Sequence, residues 1–175
     1  MPVRQRGSMM QAARKTFGQH WPIFLLIIIN IVIGLVVVHN YGQSTDEPRI
    51  YRYANHSLDN YYNLFLGYPI TDFKEGHLDL YGPAFFIAAG LFSCLITALL
   101  PVWSDINVWH LASFLAFQMG IISLYFLAHR WMGKWAAFGG ALLFSTQPLF
   151  WGHAFINPKD IPFMAFFLAS VSLGL

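Results

Sequence analysis

Residues 21–38 read WPIFLLIIINIVIGLVVV, a run without a charge and with one side-chain amide, Asn30. A helix needs about 20 apolar residues to cross a hydrocarbon core of roughly 30 Å. The run is longer than the core of a signal peptide and no small-x-small cleavage site follows it, so it reads as an uncleaved anchor. Trp21 and Tyr41 stand where they would mark its two interfaces.

Composition extends that reading to the whole chain. Of its residues 57% are apolar, 18% aromatic and only 10% charged, against about 25% charged in a soluble domain. The prediction is an all-α, polytopic membrane protein. Four more apolar stretches follow, at 83–103, 106–128, 135–151 and 161–175, after a polar stretch from His39 to Tyr81 that carries six acids and three bases. The single cysteine, Cys94, excludes a disulfide framework and a cysteine metal site. The net charge of +2 gives no reason to expect a nucleic-acid partner.

Charge sets the orientation. The segment before the first run, residues 1–20, holds Arg4, Arg6, Arg14 and Lys15 and no acid, which predicts a basic cytoplasmic tail. If all five apolar stretches crossed, the basic loop HRWMGKW (129–135) would face outward and PVWSDIN (101–107) inward, the reverse of the usual bias. If 83–103 is instead interfacial or re-entrant, spans at about 21–39, 106–128, 135–151 and 161–175 put all eight acids outside and six of ten bases inside. We expect the second arrangement, in a cell or plasma membrane, with the N-terminus cytoplasmic.

Two charged clusters then meet on one face. In GQSTDEPRIY (42–51), Asp46 and Glu47 are either ordinary solvated charges or a carboxylate pair at the mouth of a cavity, where partial burial tunes a general base or holds a metal. In GHAFINPKDIPF (152–163), Asp160 with Pro162 in the first turn is good N-cap chemistry. A cap does not require Lys159 or His153, and an ammonium beside a helix N-terminus makes an anion site. Seven scattered histidines, His77 among them, lack zinc-helix spacing; most read as packing or interfacial residues, and Asn30 and Gln147 as interhelical hydrogen-bonding groups.

The order of basic tail, first span, Asp-Glu, LYGPAFF (80–86), RWMGKW (130–135) and QPLFWGHAFINPKDIPFMAFF (147–167) resembles the N-terminal part of the GT-C glycosyltransferases that use polyprenyl-phosphate sugars. More specifically, it is similar to bacterial relatives of the protein O-mannosyltransferases and lipid A aminoarabinose transferases. That resemblance implies a large extracytoplasmic first loop with juxtamembrane helices. It implies Asp46, with Glu47 beside it, as catalytic carboxylate, and Asp160 beside the same cavity. It implies transfer of a sugar from a lipid-linked donor to a protein, lipid or glycan hydroxyl. Some members hold the lipid phosphate with a lysine just before the loop proline; here that neighbourhood is DLYGP (79–83), the nearest lysine is Lys74, and Lys159, Arg49 and Arg52 are the alternatives. A divalent cation is a further open source of positive charge. The last run has 15 residues, about 22 Å of helix, and the resembling enzymes are longer, so the chain is expected to be a piece of one. The competing expectation is a noncatalytic membrane protein or transporter fragment, whose charges cap helices and anchor interfaces.

The topology is checked by cysteine labelling in a Cys94→Ser background. An impermeant reagent applied from outside is expected to modify Ser104→Cys and Asp72→Cys but not Gly133→Cys; labelling at 133 would separate the two charged clusters across the membrane.

Overall fold

The computed structural model describes the backbone of residues 3–75 and 78–175, and the side chains of 18–75, 78 and 80–175. The side chains of Arg4, Arg6, Arg14, Lys15 and His77 lie outside the described residues. Those described form seven α-helices and two short 3₁₀ turns, with no strand: α1 Val3–Val37, α2 Glu47–Leu66, α3 Ala84–Leu99, α4 Asp105–His129, α5 Lys134–Ser145, α6 Pro148–Ile156 and α7 Asp160–Gly174.

Helix α1 begins inside the stretch expected as a basic tail and runs through the first apolar run, broken at His20 (φ −110°, ψ 15°). Pro22 has no N–H for the Gly18 carbonyl and its ring presses on that turn, which is why the break falls here. Among the described residues, two stretches are long and apolar enough to cross a membrane, Gly18–Asn40 and Asp105–His129.

Helix α4 is the centre of the assembly and receives α1, α3, α5, α6 and α7. Ser104 caps it, accepting from the Asn107 N–H at 3.3 Å. Helix α1 lies antiparallel to it. Gly34 abuts Phe114, Asn30 Nδ2 donates to Gln118 Oε1 at 3.1 Å, and His20 Nδ1 meets the Tyr125 hydroxyl at 2.8 Å. Asn30 is thus the interhelical group expected of it. Helix α7 runs parallel to α4, with Ala165 against Gly120 and Arg130 donating to the Ser172 carbonyl at 2.7 Å.

The stretch 135–151, expected as one span, is two helices. Pro148 disfavours a helical Gln147, which is extended (φ −65°, ψ 118°). At the break the Thr146 N–H and the hydroxyls of Ser145 and Thr146 all donate to the Leu142 carbonyl. Gln147 is exposed at this break and is not the interhelical group expected; the proline that makes the break also turns it out. Helices α5 and α6 continue in one direction along α4, from Trp135 against Trp21, through Phe144 against Phe117, to Phe155 stacked on Phe114 at 4.6 Å and on Tyr41 at 4.3 Å.

Helix α3, of 16 residues, packs against the start of α4. It is antiparallel to the first half of α4: Gly90 faces Trp109, Ser93 donates to the Asp105 carboxylate, and Phe85 and Ala88 share a recess with Ala112, Leu115 and Met119. Helix α2 lies outside it and ends at Gly67, whose left-handed φ of 78° lets the Tyr68 N–H return to the Asn63 carbonyl at 2.8 Å.

A Cβ on Gly34 would stand 2.3 Å from the buried Phe114 ring, itself clamped by Phe155 and Trp151. Gly34→Ala is expected to destabilise by about 1–3 kcal/mol through overpacking. Gly139→Ala, with nothing within 4 Å of its added carbon, is expected to be neutral or to stabilise by up to about 1 kcal/mol. Thermal unfolding in detergent reads both signs.

Candidate functional site

The two charged clusters, 113 positions apart, are joined. Lys159 Nζ donates to Asp46 Oδ2 at 2.7 Å. Asp46 is at the N-terminus of α2 and Lys159 is the residue before α7, so the contact ties the first loop to the last helix. The lysine side chain is 23% exposed and the aspartate 53%. Lys159 Nζ also lies 5.9 Å from the centre of the Tyr81 ring, within cation–π range. The Lys159 ammonium, first by its hydrogen bond and then by its charge, holds the Asp46 carboxyl below the usual aspartate range, with Arg49 adding a smaller pull. A carboxyl depressed in this way contributes stability above its unfolded range that is lost as pH falls through the folded value. The pair therefore outlasts ordinary aspartates on acidification.

The turn before α7 is built by Asn157, not by Asp160. Asn157 Oδ1 accepts from the N–H groups of Lys159 (3.2 Å) and Asp160 (3.0 Å), and its amide donates to Asp160 Oδ2 at 2.9 Å. No side chain caps the helix from Lys159, and Asp160 is already in its first turn, so the expectation of Asp160 as cap is corrected. Asn157, of the same length as an aspartate but placed before the helix, reaches both N–H groups with its Oδ1, which a side chain already inside the first turn does not.

Lys159 stands between two recesses. On one side is a polar cavity of about 430 Å³ lined by Ser44, Asp46, His153, Asn157, Lys159 and Asp160. On the other is an apolar groove of about 430 Å³ between α3 and α7, walled by Tyr81, Phe85, Phe86, Pro162, Phe163 and Phe166. Tyr81, from DLYGP, was not singled out by the sequence. Its place beside a loop proline was the available signal.

Glu47 is elsewhere. It is enclosed (1% exposed) with His110 (1%), whose Nε2 meets Glu47 Oε1 at 3.1 Å, while the Ser44 N–H donates to Oε2 at 3.0 Å. The expectation of Glu47 as a catalytic carboxylate in the cavity is therefore corrected: both its oxygens are engaged inside the protein, because α2 turns it toward α4. His110 had been read as a packing residue; a lone histidine in an apolar helix was the clue to a buried partner. Beside it Tyr51 stacks on Trp109 at 4.3 Å, and burial, then the Glu47 charge, pushes its hydroxyl upward.

The other candidate cations do not line either recess. Arg52 pairs with Glu75 through Nε at 3.1 Å on the exposed surface. Lys74 and Arg49 are exposed. Among the described residues, no three histidine, cysteine or carboxylate side chains gather into a metal-binding group. Comparison with protein-family models, curated proteins and solved structures finds no match.

Leaving a buried charge without its partner costs about 3–5 kcal/mol, whereas replacing both members by apolar residues is often neutral. His110→Leu is expected to destabilise on that scale, and adding Glu47→Leu to recover most of the loss, as read by denaturation of the purified protein. A loss in the double variant equal to the sum of the losses in His110→Leu and Glu47→Leu alone would show that the two side chains are not coupled.

Proposed function

We propose that this chain is membrane-embedded, with its N-terminus cytoplasmic, and that its site serves transfer of a sugar from a polyprenyl-phosphate donor to an acceptor hydroxyl on the extracytoplasmic face. The membrane reading is supported by the apolar surface the helices turn outward: Val36 is 70% exposed, Phe163 73% and Leu143 67%. Polar Asn30, His110 and Gln118 are turned inward. An exposed apolar surface of this extent is a liability in water and ordinary in lipid. With α4, the broken α5–α6 pair and α7 as crossings, and α3 meeting only half of α4, the acids and the Asp46–Lys159 contact fall on one side.

The observation that carries the catalytic reading is the position of Lys159, with an aromatic groove on one hand and a polar cavity holding Asp46 on the other. A lipid-linked sugar has the same three parts in the same order: apolar tail, phosphate, polyol. In the reaction, the acceptor oxygen attacks the anomeric carbon and gives its proton to Asp46. The bond from that carbon to the phosphate oxygen breaks, and the departing phosphate takes the charge stabilisation that Lys159 supplies. His153 and Asp160 line the sugar side. The noncatalytic alternative, in which the ion pair only staples the loop to α7, rests on the same contact and predicts that charge-neutral replacements matter to stability alone.

Asp46→Asn is expected to abolish sugar transfer from a polyprenyl-phosphate sugar in membranes containing the protein, with expression and insertion unchanged. Full transfer by that variant would sink the catalytic assignment.

A further inference from the structure

Resting on the donor-site reading above, one feature of the Asp46–Lys159 contact carries further. Each partner is the group that the other's proposed ligand would need. Lys159 is the cation nearest the junction of groove and cavity, and its ammonium is already committed to Asp46 at 2.7 Å. Asp46 is the carboxylate proposed to take the acceptor proton, and the ammonium at its oxygen holds it in its least basic condition. His153 and Asp160 share the cavity, but Asp160 is engaged by the Asn157 amide, so it does not compete for the lysine in this arrangement.

We propose that the Asp46–Lys159 ion pair is a resting latch, opened when the phosphate of a phosphomonoester or phosphodiester lipid takes Lys159 and releases the Asp46 carboxylate. A phosphodiester lipid matches the carboxylate's single negative charge and adds the burial of its tail in the groove beside Lys159, whereas a phosphomonoester carries about 1.5 to 2 charges with three acceptor oxygens, so either form competes with Asp46 for the ammonium. The lysine stem is flexible and lies in the wall of both recesses, so the exchange needs a rotation of its outer bonds and no movement of α7. With the pair closed, the aspartate is a poor base; with it open, the base appears only where a donor is bound. An acceptor hydroxyl, or water, arriving first meets a carboxylate that is already occupied.

The consequence has a sign that an ordinary binding or catalytic role does not share: removing the acid strengthens binding of the anion. The probe is farnesyl phosphate, titrated into the whole protein in detergent micelles. Farnesol is the control for tail binding and inorganic phosphate the control for binding of the free anion. Lys159→Gln is expected to weaken farnesyl phosphate about ten-fold, the scale of a charge-assisted hydrogen bond. Asp46→Asn is expected to tighten it about three- to five-fold, the range that a part-exposed ion pair commands. In the double variant the Asp46→Asn gain is expected to vanish, because there is no latch left to open.

Unchanged or weaker binding in Asp46→Asn, with the variant folded by its thermal transition, overturns the latch. A gain that persists in the Lys159→Gln background also overturns it, by reducing the effect to simple charge repulsion. If farnesyl phosphate binds no better than farnesol in every variant, the donor-site reading falls and the latch with it. Tightening for inorganic phosphate equal to that for farnesyl phosphate assigns the latch to the free anion and overturns its lipid specificity.

Discussion

Glu47 is enclosed in protein, and a carboxylate removed from water costs several kcal/mol unless donors meet it. His110 and the Ser44 N–H are those donors, and the arrangement follows from them. Meeting His110 brings the start of α2 down onto α4 between its first and second turns. Asp46, one residue earlier, is then held at the level of α4 where α7 begins. The buried pair thus sets the height of the start of α2 on α4, and with it the place of Asp46 opposite Lys159.

The second layer of constraint is aromatic. Phe114 is sandwiched between Gly34 and Phe155, and Phe155 in turn carries Tyr41 on its other face. This stack joins α1, α4 and α6 at one level, near the end of the assembly that holds the ion pair. It fixes Tyr41, from which the chain reaches Ser44, Asp46 and Glu47 in a few residues. The cavity is shaped by two anchors, one aromatic and one ionic, with a short extended segment strung between them.

The parts legible in the sequence were those governed by one-dimensional patterns. Length and apolarity marked α1 and α4 as the two helices long and apolar enough to span, among the described residues. The charge bias along the chain led to the expectation that the two clusters share one face, and of them Asp46 and Lys159 are in contact while Glu47 is not. What escaped was decided by rotation about helix axes. Adjacent Asp46 and Glu47 look equivalent in sequence, yet 100° of helical turn sends one to the cavity and the other to His110. Gln147 and Asn30 look alike as amides in apolar runs, but Pro148 breaks the helix at one and not the other. Asn157 and Asp160 are both capping residues by type, and only the path of the turn selects the first.

The groove between α3 and α7 has side walls without a roof, since Phe163 and Phe166 remain 73% and 51% exposed while lining it. From Lys159 to Phe166 is seven residues, about 10 Å of helix. In the proposed donor reading, Phe163 and Phe166 meet a bound tail over that first stretch from Lys159 and read its slenderness and apolarity there.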